Sequence, residues 1–151
     1  MRFRRAMVAV AACASLVATA AGAQAAALPP VSTFVVNTSF AGGSPIIEAD
    51  GVWTGCTEVI DVSGSTNQIS PSRLVFSGVK EVVCPDGNVL IQYTAELNFR
   101  SGENSFAKTS GTWQLIDSDN PGINEGAGTV RGTSRTCGTD CIVDTFSGRV
   151  V

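Results

Sequence analysis

The sequence predicts an all-β fold: a small antiparallel barrel of about eight strands, with a β-sandwich as the alternative. Three observations carry this. Beyond the N-terminal stretch no segment keeps a helical period; Gly, Ser, Thr and Val dominate, and turn signals recur at strand-length intervals. Residues 89–99 alternate with period two along their whole length. Gly126, Gly128 and Gly132 fall on one face of a late strand. Glycine weakens a strand unless something needs the room. A small closed barrel supplies that need, because its strands bend sharply and its interior alternates small and large residues.

Residues 1–27 read as a secretory signal. Arg2, Arg4 and Arg5 precede an uncharged apolar run over 6–20, and 21–27 offers overlapping small-residue cleavage sites. The run is shorter than the roughly 18 to 20 residues that span a bilayer. The expected organisation is a signal over 1–27 and one barrel domain over 28–151, exported from the cell. Loss of three arginines leaves seven basic against thirteen acidic residues, a net charge near −6. Phosphate backbones need clustered Lys and Arg, so nucleic acid is not an expected partner. No second apolar span exists, so no membrane span is expected in the mature chain.

Cys13 leaves with the signal, and Cys56, Cys84, Cys137 and Cys141 remain. An even number of thiols in an exported chain reads as two disulfides, with three connectivities open. Spacing favours Cys137 with Cys141, across a three-residue loop containing Gly138, and Cys56 with Cys84. The rival reading, zinc, suffers from the absence of histidine and from spacing unlike a zinc knuckle.

Extended segments are expected over 31–37, 51–62, 73–84, 89–99, 107–116, 126–136 and 141–151, with loops over 38–44, 64–72, 101–105 and 117–125. In 89–99, Val89, Ile91, Tyr93, Ala95, Leu97 and Phe99 share the buried face. Pro85-Asp86-Gly87 is turn chemistry that joins this strand to 73–84 as a hairpin, with Leu74, Phe76 and Val82 on the face of Cys84.

The segments Ser110-Gly111-Thr112-Trp113-Gln114-Leu115, Gly126-Ala127-Gly128-Thr129-Val130-Arg131-Gly132-Thr133 and Asp144-Thr145-Phe146-Ser147-Gly148-Arg149-Val150 carry a resemblance. Together they resemble the C-terminal half of small secreted bacterial proteins with an allene-oxide-cyclase-like or dirigent-like barrel. The resemblance covers about half of the mature chain, and its motifs are of low specificity. It departs at the long polar segment 117–125, where the family has a more compact turn. It implies an up-and-down barrel with an apolar interior. It does not imply cyclase activity, since none of that enzyme's working residues falls on a position here.

Without histidine, Ser-His-Asp and Cys-His machinery, His-ligated metals and the commonest general base are excluded. Carboxylates, the single Tyr93 and two lysines remain. A glycosidase-type pair of Glu96 and Asp144 is conceivable, but Glu96 falls on the polar face of its strand. Asp144 shares a face with Ile142 and Phe146, so it is the acid that can point inward and carry a raised pKa, with a rim position or a hydrogen bond to backbone as the alternative reading. Asp117-Ser118-Asp119-Asn120-Pro121-Gly122 begins like a calcium loop but has proline fifth and Gly128 twelfth, so an Asx-rich turn is the better reading.

Among the large aromatics, Tyr93, Trp53, Trp113, Phe76 and Phe99 are expected inside, with simple core packing as the alternative to a ligand cage. The expected ligand-lining set is Tyr93, Trp113, Phe99, Phe76 and Asp144. No catalytic residue, cofactor or metal is assigned. The expected function is non-catalytic binding of a small apolar ligand, or of an extracellular protein at the surface. One alternative is a cyclase-like or dirigent-like enzyme acting by confinement. Another is a protease inhibitor or antibiotic-carrying apoprotein that presents the loop Gly138-Thr139-Asp140.

Overall fold

The computed structural model describes residues 27–39, 44–100, 106–134 and 141–151. The expected signal up to residue 26, Cys137 and the Gly138-Thr139-Asp140 loop lie outside the described residues. The eight strands are β1 (Val31–Ser39), β2 (Ser44–Ala49), β3 (Glu58–Ser70), β4 (Arg73–Val83), β5 (Val89–Arg100), β6 (Phe106–Ser118), β7 (Gly126–Thr133) and β8 (Cys141–Val150). Each pairs antiparallel with the next, and β8 returns to β1. The sheet closes as a barrel, not a sandwich.

The period-two reading of 89–99 holds along β5: Val89, Ile91, Ala95 and Leu97 are buried, while Gln92, Thr94 and Asn98 face out. The turn before it is as expected, with Gly87 at φ 132°, where a side chain is strained. Cys56 and Cys84 form a disulfide, stapling the approach to β3 onto the end of β4 beside the Glu58–Val83 pair. Cys141 is also disulfide-bonded; its expected partner, Cys137, is outside the described residues.

The structure corrects three expectations. Ser44, expected to end a loop, and residues 45–49, for which no element is expected, form β2. The extended segment expected from residue 51 begins only at Glu58; Gly51–Trp53 is a 3-10 turn entered at Gly51 with φ 59°. The loop expected over 64–72 is mostly strand, because β3 pairs with β4 as far as Ser70 opposite Arg73, with irregularities after Asp61 and Gln68. That arm is exposed along nearly all of β3, so it carries no apolar alternation to read.

One half of the barrel is packed solid. Phe34 stacks on Phe146 with ring centroids 4.8 Å apart, and Trp53 meets Phe34 and Trp113 edge-on. Trp53 reaches this cluster from the 3-10 turn. Ile123, from the loop after β6, is 1% exposed in the same core. The glycines of β7 and β8 give Trp113 its space. Trp113, Gly128 and Gly148 are consecutive cross-strand partners, and a Cβ on Gly148 would stand 2.6 Å from Trp113 Cζ2. Of the spaced glycines of β7, Gly126 and Gly128 therefore lie beside a buried indole, whereas Gly132 lies against Asp144.

Candidate functional site

The other half is open. A cavity of about 430 Å³ lies inside the barrel. Val59, Phe76, Ala95, Leu97, Val130, Ile142 and Phe146 supply its apolar wall, with Val59, Ala95, Val130 and Phe146 shared with the packed half. Ile60, Ser44 and Asp61 line it where β2 parts from β3, which pair only at Ser44–Val59 and Pro45–Glu58. Asp61, with 62% of its side chain exposed, marks the mouth.

Lys80 is the cation of the cavity. It sits on the inward face of β4 between Gly78 and Val82, with 9% of its side chain exposed. Its Nζ donates to Asp61 Oδ1 at 2.6 Å and lies 4.8 Å from the centroid of the Tyr93 ring. A buried ammonium is costly without such partners. Tyr93 pairs with Gly78, which pairs with Gly64. Its hydroxyl lies 4.0 Å from where a Cβ on Gly64 would stand, so the phenol extends across β4 towards β3. Burial first, then the charges of Asp61 and Asp144, push the phenol up to about 12.

Asp144 points inward from β8, 8% exposed. Thr38 Oγ1 donates to its Oδ2 at 2.9 Å. Burial raises the carboxyl above its ordinary range, while Thr38, Thr109 and Lys80 act to lower it. Although Thr109 is close enough for that influence, no donor among the described residues meets hydrogen-bond geometry at the buried Oδ1. Gly132 stands between Thr109 and Asp144 in the ladder.

Of the expected lining residues, Tyr93, Phe76 and Asp144 come together here. Trp113 does not line the cavity; it is 2% exposed within the packed half, held over the glycines. Phe99 does not line it either. It stands at the rim, 42% exposed, where β4 has given way to its hairpin turn and Ser72 O accepts the Phe99 amide. Glu96 faces out, and its ion pair with Arg73 holds its carboxyl below the usual range. The segment after β6 forms an Asx turn, with Asn120 Oδ1 accepting the Gly122 amide at 2.9 Å.

Sequence reasoning missed Lys80, Asp61, Thr38, Ser44 and Thr109. Lys80 had left a signal: it shares the alternating face of Leu74, Phe76 and Val82. Among the described residues no group of three or more His, Cys, Asp or Glu could hold a metal, and no helix is long and apolar enough to cross a membrane. The arrangement can enclose an apolar body and present it with an ammonium, a phenol and a buried carboxyl. No protein-family model, curated protein or solved structure matches the chain.

Proposed function

We propose that this chain is an exported β-barrel that binds a small, largely apolar ligand in the open half of its barrel. The observation that carries the reading is the contrast between the two halves. Aromatic residues fill one, whereas the other keeps a cavity of about 430 Å³ with a mainly apolar wall. That volume lies within the range of small-molecule sites, which pair apolar walls with a few placed polar groups. Native mass spectrometry of the protein recovered from its own host tests this. A small molecule retained natively and shed on denaturation is the expected result; a bare chain under every gentle condition counts against it.

A second reading follows from Asp144. A buried carboxyl facing a cavity can act as an acid or base, and an enzyme that shapes its substrate by confinement, as the cyclase-like and dirigent-like resemblance suggests, would use the same space. Once a substrate is found, unchanged turnover after Asp144→Asn and Tyr93→Phe would remove this reading.

A further inference from the structure

We propose that the ligand is a compact apolar monoanion with an aromatic body, and that Lys80 selects it by pairing with its acid group in place of Asp61. The inference rests on the ligand-binding reading above and goes on to name the ligand's chemistry.

The argument starts from an asymmetric ion pair. Lys80 keeps 9% of its side chain in solvent, whereas Asp61 keeps 62%. Asp61 can turn into water at small cost, but Lys80 is buried, with its ammonium over the Tyr93 ring. An entering anion therefore exchanges one partner of the ammonium for another and leaves no charge buried alone. Charge-assisted hydrogen bonds to ammonium are the strong ones, and this one would form where water is largely excluded. The Tyr93 hydroxyl keeps its proton to about pH 12, so it is a second donor beside Lys80.

Asp144 is the other acidic group facing the cavity. Burial raises its carboxyl, which favours the neutral form and lessens the repulsion an anion meets, while the hydrogen bond from Thr38 acts the other way. Phe76, Tyr93 and Phe146 give the walls three aromatic rings, which receive a flat apolar body in edge or offset contact.

Two dyes that differ by one sulfonate group test the inference: phenylnaphthylamine, which is uncharged, and anilinonaphthalene sulfonate, which is an anion. Both are titrated by fluorescence into the purified protein. The expected result is binding of both, with the sulfonate about tenfold tighter, equivalent to about 1.4 kcal/mol. Lys80→Met removes that preference and leaves the uncharged dye's affinity in place, which also reports that the barrel is folded. Asp61→Ala removes the competitor and tightens the sulfonate alone, so it decides the matter should Lys80→Met fail to fold. Arg131→Gln, which deletes a positive charge from the outer face of β7, changes neither. Equal affinity for the two dyes, or a parallel loss of both in a folded Lys80→Met, overturns the anion inference while the cavity reading stands. Failure of both dyes to bind overturns both.

Discussion

The Asp144 carboxylate occupies the space that a side chain on Gly132 would need. The two residues are cross-strand partners, and a Cβ on Gly132 would overlap Oδ1 and stand 2.9 Å from Cγ. Gly132→Ala therefore forces the carboxylate out of its place or bends β7. Overpacking of this kind costs about 1–3 kcal/mol, measured as a lower urea midpoint with an unchanged slope. Part of the cost vanishes when Asp144 is first replaced by serine, because the two changes share one contact. Additive losses would show that β7 yields without touching the carboxylate.

The same carboxyl gives stability a pH dependence of definite sign. Burial raises its pKa in the folded chain above the unfolded value. Within the window between those two values the folded state binds more protons, so stability falls as pH rises through it. Asp144→Asn cannot lose a proton, and it keeps an oxygen to accept from Thr38. Its stability curve should be flatter than the parent's upward from about pH 4 and should lie above it once the parent carboxyl has ionised. A parent curve that gains on the variant over that window contradicts the assignment.

How far this was legible in the sequence depended on burial. β5 could be read because one face is buried and the other solvated, and Pro85-Asp86-Gly87 because its turn needs those residues. The inward Asp144 was readable from the same alternation on β8. The arm of β3 beyond Asp61 was not: both its faces meet water, so Gly64, Ser65, Thr66 and Asn67 have the composition of a loop while pairing with β4. Trp113 and Tyr93 share a face and are direct cross-strand partners, yet only Tyr93 lines the cavity. What separates them is the placement of glycines on the next strands and the arrival of Trp53 from a turn, neither of which alternation encodes. Asp61 follows no pattern at all, since the strand shifts register just after it.

The disulfide between Cys56 and Cys84 closes a loop with a sequence separation of 28. A bridge over that span stabilises by about 3–4 kcal/mol in the chain-entropy account. Replacing both cysteines with serine should lower stability by about that amount, read from chemical denaturation. The cavity should suffer little, because the bridge lies in the packed cluster with Trp53 and Val82. A variant that keeps its stability would mean that the β3–β4 ladder alone holds this corner.

Truncating the packed half should cost more. Trp113 is 2% exposed and lies over Gly128 and Gly148, against Trp53. Its ladder partners Gly128 and Gly148 offer no side chain to fill the space it leaves. Trp113→Ala is therefore expected to cost about 3–5 kcal/mol, as large aromatic truncations in cores do. A loss below about 1 kcal/mol would show that the glycine bed closes up, and that the packed half is not the rigid part of the barrel.

Tyr93 permits the cleanest test, because it is the only tyrosine in the chain. Near-ultraviolet titration of the folded protein should show a single phenol ionising at about 12, above its ordinary value of 10.0. Burial is the main cause, with the negative charges of Asp61 and Asp144 adding to it. Since the folded pKa exceeds the unfolded one, the phenol's contribution to stability is complete below pH 10 and is lost as pH rises through about 12. Tyr93→Phe abolishes the titration and that part of the alkaline decline. Asp61→Ala should move the midpoint down, by removing one of the two negative charges that oppose ionisation. An ordinary midpoint in the parent would place the phenol in free solvent, and Lys80 would then lose the ring wall against which it is held.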